Sequence, residues 1–435
     1  MFQRLKGFRD FYPDACRQRN WLFARWREAA ARFNFQEFDA PILEPLELFT
    51  AKSGEEIVAQ LFNFEDKGGR AVSLRPELTP SLARMVGERA NALRRPVKWF
   101  NIGEHFRYEK QQKGRLRAFY QFNADLLGDA TPVADAEVMA LLDACLRGAG
   151  LTPEDYRIRL SDRQLWWLYL QSLGLGEASC TAVLGIVDRR EREAPEAQRA
   201  QLVALLQPGE PSPESLLEAI DTFAATPDLG TLESRFANSD PGRERVAEWR
   251  RLWSMLEALG LGDRVQLDLS IVRGLAYYTG FVFEAFQTTG TGRAIAGGGR
   301  YDHLVEKLGG PPLSAVGFGL GDVVIRDLLE ELGRLPELAP RLDAYLIPVN
   351  AEAEADIRRL ATELRRRGYS TEYPLKVGGV GKQFKAASQA GARFAVLIGP
   401  DERASGLLKV KALATGEEAT MPREGLLEAL QRQTG

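Results

Sequence analysis

The chain has 435 residues, 45% of them hydrophobic and 27% charged, enough for two to four domains with large cores and too apolar for a disordered chain. Its 57 Lys and Arg against 60 Asp and Glu give a net charge of −3, which excludes a general field for polyanions and leaves nucleic acid only local basic patches. Cys16, Cys145 and Cys180 are too few and too scattered for a disulfide framework or a four-cysteine zinc site, and His105 and His303 are the only histidines, so no metal site and no histidine triad is expected.

That cysteine usage suits a reducing cytoplasm. No apolar run reaches the ~20 residues of a membrane span and the first ten residues hold no signal core, so a cytoplasmic protein with no membrane contact is expected.

Leu22, Trp26, Ala29, Ala30 and Phe33 recur at helical spacing and predict a helix over 18–33. Alternation predicts strands over 96–108 and 117–127. The second strand puts Tyr120, Phe122, Ala124 and Leu126 on one face and Phe119, Gln121, Asn123 and Asp125 on the other. Between the two lies 109–116, Glu-Lys-Gln-Gln-Lys-Gly-Arg-Leu, a basic hairpin loop. A helix follows over 133–149. Residues 174–253 turn helix-rich and charged and read as an inserted helical module. Alternation returns at 265–272 and 277–286, followed by a Gly-rich segment at 297–302 and a strand at 315–320 that runs into a helix. Strands interrupted by an insertion predict one antiparallel sheet. The two prolines of 333–340 mark a linker. Beyond it a strand at 344–348, a helix at 352–367, strands at 393–398 and 407–413 and a helix at 424–432 predict a small independent α/β domain. The expected division is therefore an α+β domain over 1–332 containing the insertion, a linker over 333–340, and the α/β domain over 341–435.

Four constellations could carry chemistry. Arg107, Glu109, Arg115 and Arg117 surround the hairpin, where guanidinium forks could grip a nucleoside triphosphate; charge alone also fits a solvated hairpin tip. Behind them Gln121, Asn123 and Asp125 form a polar row that could bracket a small polar ligand or be an ordinary exposed sheet face. The run Arg273-Gly274-Leu275-Ala276-Tyr277-Tyr278-Thr279, with Glu284 beyond it, can deliver one cation, one buried ring and one hydroxyl. Gly297-Gly298-Gly299 before Arg300-Tyr301-Asp302 permits close backbone approach to a ligand or forms a turn. Gly317-Phe318-Gly319-Leu320-Gly321 has G-x-G-x-G spacing with no surrounding βαβ unit, so a dinucleotide site is rejected.

Taken together and in order, these segments resemble the histidyl-tRNA synthetases, a family of class II aminoacyl-tRNA synthetases. The likeness rests on Lys6-Gly7-Phe8-Arg9-Asp10, Leu74-Arg75-Pro76-Glu77-Leu78-Thr79, Phe106-Arg107-Tyr108-Glu109, Phe119-Tyr120-Gln121-Phe122, Arg273 to Thr279 and Gly297 to Asp302. It extends into the tail at Gly381-Lys382-Gln383 and Ala390 to Ala395.

The resemblance implies a class II antiparallel-sheet catalytic domain, an α/β anticodon-binding domain, and a ligase that activates histidine with ATP and transfers it to tRNA(His). It places Glu77, Thr79 and Gln121 on the α-amino end of histidine and Asp125 and Tyr278 on its imidazole, with Tyr277 and Gly298 in the same pocket. It places Arg107 and Arg273 on opposite sides of the ATP α-phosphate as the catalytic cations, with Glu109, Arg115, Gly319 and Gly321 also at the nucleotide. Gln112, Lys113, Arg117, Lys382 and Arg393 are the tRNA-binding candidates. Mg²⁺ is expected to arrive with ATP, without a dedicated protein site, and the chain is expected to form a homodimer. A histidine-sensing paralogue, of the kind that regulates ATP phosphoribosyltransferase, is the alternative.

Three positions depart from the family pattern. Ala276 stands for a usual Asp, Asp125 for a commoner Glu, and Asp322-Val323 for a usual Glu-Arg, which removes an arginine expected on the nucleotide. Arg326, three residues on and ~4.5 Å further along the helix axis, is the expected substitute.

Overall fold

A computed structural model describes residues 2–53, 55–109, 114–190, 193–273, 277–289, 293–340 and 342–432, with backbone alone at 52–53 and 55–57. Gln112, Lys113 and the segment 274–276 therefore lie outside the described residues.

The chain divides into two compact units, Met1–Pro336 and Glu337–Gly435. In the first, helix Pro13–Arg32 leads to strand β1 (Gln36–Glu37), a small antiparallel sheet of β2 (Leu43–Pro45), β3 (Asn63–Glu65) and β4 (Ala71–Leu74), and then β5 (Val97–Phe106), β6 (Ala118–Leu127), β7 (Tyr156–Asp162), β8 (Val265–Leu267), β9 (Phe281–Gln287), β10 (Ala294–Arg300) and β11 (Ala315–Gly321). The main sheet runs β1-β5-β6-β11-β10-β9-β7-β8. Its interior pairs are antiparallel and the edge pairs β1/β5 and β7/β8 are parallel.

Helices Pro13–Arg32 and Pro132–Gly148 cover one face of this sheet. The side chains that alternation assigns to the core meet there. Phe122 lies 5.8 Å from Trp26, 5.5 Å from Phe100 and 5.7 Å from Phe318, ring centre to ring centre. The first helix begins five residues before the apolar spacing does, because Pro13 fits a first-turn position and Asp14 suits the positive helix end. The strand expected over 265–272 stops at Leu267, where Asp268 accepts from the Ser270 N–H (3.0 Å) and hydroxyl (2.5 Å) and turns the chain.

Among the described residues the inserted module holds the helices Glu177–Arg189, Pro195–Leu205, Pro213–Ala224, Leu229–Phe236 and Asp240–Ala258. It is joined to the sheet through Asp162 at the end of β7. This fully buried carboxylate accepts from Arg245 Nε (2.6 Å), Trp249 Nε1 (2.7 Å) and the Gln164 N–H (2.8 Å). Losing one partner would strand a buried charge.

In the second unit β12 (Leu342–Pro348), β13 (Thr371–Glu372), β14 (Ala392–Ile398), β15 (Leu408–Ala412) and β16 (Glu418–Met421) form a sheet in the order β13-β12-β14-β15-β16. It packs helices Glu354–Arg366 and Arg423–Gln431 through Ile357, Leu360, Leu364, Leu426 and Leu430. Helix Val380–Gln389 escaped sequence reading because Gly378, Gly379 and Gly381 crowd its start.

Candidate active site

The β5/β6 hairpin carries Arg107 and Glu109 to the rim of a cavity of about 1030 Å³. Arg107 Nε donates to the Pro76 carbonyl (3.0 Å) and its guanidinium carbon sits 5.3 Å from the Phe119 ring centre, so the fork is anchored by one donor and leaves others toward the cavity. Glu109 pairs with Arg115 at 3.2 Å. Gln121, Gly319, Gly321, Arg273, Glu284 and Gly297 form further parts of the wall.

Alternate glycines of β11 explain the polar row on β6. Gly317, Gly319 and Gly321 pair with Asp125, Asn123 and Gln121. A Cβ on Gly317 would lie 1.9 Å from Asp125 Oδ1, and one on Gly319 would lie 2.4 Å from Gln121 Nε2. The G-x-G-x-G spacing thus gives polar side chains of the neighbouring strand room above a sheet face. That face is covered: Asn123 and Asp125 are buried.

Arg273 adopts φ +54°, a left-handed backbone that costs a non-glycine residue energy and occurs where surrounding structure fixes it. Arg163 Nη1 donates to the Arg273 carbonyl (2.8 Å), and Arg273 Nη1 donates to Glu284 Oε1 (2.6 Å). A Cβ on Gly297 would fall 1.4 Å from Arg273 Nη1. Gly297 faces Glu284 across the β9/β10 ladder, so the guanidinium lies flat on the backbone of β10 against its carboxylate. The triple glycine is therefore strand and not turn. Gly298 and Gly299 are needed for close strand contact, since a Cβ on Gly298 would meet the Gly317 carbonyl at 2.2 Å.

Glu77, Tyr277, Tyr278, Tyr301 and Asp125 gather beside the cavity as a buried polar cluster. Tyr277 donates to Glu77 Oε2 at 3.3 Å and Tyr301 donates to Asp125 Oδ1 at 2.6 Å. The Tyr277 ring centre is 4.8 Å from that of Tyr278 and 5.7 Å from that of Tyr301. Burial pushes the Asp125 carboxyl up to about 7, against the opposing effect of the Tyr301 hydrogen bond. Thr79 opens the helix Thr79–Arg89 beside Glu77.

Several residues expected at the site have other surroundings. Arg117 packs on Tyr108 (4.1 Å to the ring centre) and beneath Gly7, outside the cavity, because the N-terminal segment pairs with it at the Gly7 carbonyl. Gly298 turns toward Phe318 and Phe283, leaving the cavity wall to Gly297. Arg393 pairs with the fully buried Asp343 at 2.9 Å, a carboxylate that needs a cation, while Lys382 is exposed. Arg326 pairs with Glu330 at 3.3 Å and borders a different, small cavity beside Arg4 and Arg9. Val324 faces the main cavity, and a residue two further along a helix points ~200° away. Sequence reading missed the role of Tyr301 and the cavity positions of Arg159, Asp188, Arg190 and Arg293. Tyr301 had a signal in its place after the glycines. The others are brought in by tertiary packing with no local pattern.

An antiparallel sheet with arginines at the rim of its central cavity, followed by a separate α/β unit, has the class II aminoacyl-tRNA synthetase fold. The model of the histidyl-tRNA synthetase family matches residues 7–322, and that of an anticodon binding domain matches 343–433. The histidine–tRNA ligase of Opitutus terrae is 49% identical over 97% of this chain and 96% of its own. The chloroplastic/mitochondrial histidine–tRNA ligase of Arabidopsis thaliana is 38% identical over 95% of this chain and 83% of its own. The solved histidyl-tRNA synthetase of Nostoc sp. PCC 7120 shares the fold with TM-score 0.78 at 24% identity, covering 100% of this chain and 99% of that one. An ATP phosphoribosyltransferase regulatory subunit/histidyl-tRNA synthetase from Bacillus halodurans C does so with TM-score 0.74 at 23% identity, over 92% and 98%. The chain belongs to the histidyl-tRNA synthetase family.

Proposed function

We propose a residue-level account of catalysis by this site. The chain is a histidine–tRNA ligase, which activates histidine with ATP and passes it to tRNA. The observation that supports the account is the convergence of Arg107 and Arg273, from distant parts of the sequence, on one cavity floored by Gln121 and by the glycines of β10 and β11.

A histidine carboxylate oxygen attacks the ATP α-phosphorus, the bond to the bridging oxygen breaks, and pyrophosphate leaves with the electron pair. Arg107 and Arg273 donate to the α-phosphate oxygens as charge grows there, and no residue needs to move a proton in this step. Glu284 and Gly297 hold the Arg273 fork before substrate arrives. Glu77, Thr79 and Gln121 take the α-amino group. Asp125 accepts from the imidazole N–H and Tyr278 donates to the other ring nitrogen, so a ring lacking either group leaves a buried partner unpaired. Glu109 and Arg115 border the triphosphate, and Gly319 and Gly321 keep room for it.

Among the described residues no group of three or more metal-ligating side chains occurs. Mg²⁺ enters on the ATP phosphates, beside the wall carboxylates Glu109, Asp188 and Glu284. The second unit holds the tRNA anticodon, with Lys382 on its exposed surface. The large apolar side chains of Ile42, Leu43 and Phe64 are exposed near the small sheet and support a homodimer that covers them. The three cysteines are free, which fits the reducing cytoplasm.

Histidine-dependent ATP–pyrophosphate exchange tests the reading. Exchange that requires histidine supports it. Histidine binding without exchange would favour the sensor paralogue, whose fold this chain shares.

A further inference from the structure

Val323 and Val324 bring only apolar surface to the cavity where the family pattern leads one to expect an arginine, yet a guanidinium stands beside them from another element. Arg293 immediately precedes β10 and lines the same cavity. A Cβ built on Gly114, at the far side of the hairpin loop, would lie 2.7 Å from Arg293 Nη1 and 3.5 Å from Val324 Cγ2. Guanidinium, hairpin and the first turn of helix Asp322–Glu331 thus meet at one point. Directly after Arg293 the β9/β10 register shifts between Ala294 and Ala296; such a bulge re-aims side chains at a strand end. Among the described residues no carboxylate pairs with Arg293, unlike Arg273, Arg115 and Arg326.

We propose that Arg293 supplies the nucleotide-binding cation that Val323 does not, reaching ATP from the start of β10 instead of from the helix after β11. The inference rests on the histidine-activating reading of the cavity. An arginine on this strand end, lining the same cavity as Phe119 and Arg107, can cover the purine face or donate to the outer phosphates. It also accounts for valine at 323: a second guanidinium at the helix start would crowd the first.

The test is histidine-dependent ATP–pyrophosphate exchange by the full-length protein, with KM for ATP and for histidine measured separately. Arg293→Ala is expected to raise KM for ATP about tenfold or more, the loss of one charge-assisted hydrogen bond, while KM for histidine stays within about twofold. Adding Val323→Arg to Arg293→Ala is expected to recover most of that loss, and Arg326→Ala to leave KM for ATP unchanged. Should Arg293→Ala melt below assay temperature, Arg293→Gln carries the same expectations. An unchanged KM for ATP in the Arg293 variant, or equal rises in both KM values, overturns the inference. Absence of exchange in the unmodified protein overturns instead the reading beneath it.

Discussion

Asp125 sits between two chemistries. Burial raises its carboxyl to about 7 even against the lowering pull of the Tyr301 hydroxyl. In the unfolded chain it titrates near ~3.9, so the folded state holds the proton more tightly and this residue's contribution to stability falls as pH rises from about 4 to about 7. Denaturant midpoints should show this: Asp125→Asn, which cannot ionise, is expected to lose less stability than the unmodified chain between pH 5 and pH 8. A second expectation concerns Tyr301→Phe. Removing the hydrogen bond that lowers the Asp125 pKa should move the inflection in KM for histidine to higher pH, whereas the titration of free histidine is the same for both proteins. An inflection that stays in place would show that Asp125 does not receive the imidazole.

The elements that place the site show what a sequence can disclose. Alternation on β6 revealed both faces of that strand, and the apolar face meets Trp26 and Phe100. The polar face was legible as a row, but its burial was not, because Tyr301 and the glycines of β11 that these side chains lie against come from almost two hundred residues away. Likewise the glycines of β10 were visible, while the reason for Gly297 required the Arg273 side chain lying on it. Arg293 carried no local signal, since its relation to Val324 comes from strand order. Gly297→Ala is therefore an element-scale test. Its methyl would displace the Arg273 fork, and exchange kcat is expected to fall about a hundredfold, approaching the loss of a fixed electrostatic donor. Binding of histidine should change little. A kcat within twofold of the unmodified enzyme would show that the flat seat of Arg273 is not needed.

For the whole molecule, each unit has its own apolar core, one around Trp26, Phe122 and Trp166 and the other around Ile357, Leu360 and Val396. We propose a corresponding division of labour, activation in the first and tRNA grip in the second. A chain cut after Pro336 is expected to keep histidine-dependent exchange within a few-fold and to lose tRNA charging by about a hundredfold or more, as [³²P]pyrophosphate exchange and charging of tRNA(His) would read. Equal loss of both activities would show that the second unit is required for activation itself. Sedimentation equilibrium at micromolar concentration is expected to give the mass of two chains.

Placement of Arg107 and Arg273 around the reacting phosphorus is the centre of this view of the enzyme. The most direct measurement is the single-turnover rate of histidyl-adenylate formation in Arg273→Ala, with ATP and histidine saturating. Loss of a cation acting on the transition state is expected to slow that step by about 10² to 10³-fold while both substrates still bind. A rate unchanged from that of the unmodified enzyme would contradict it.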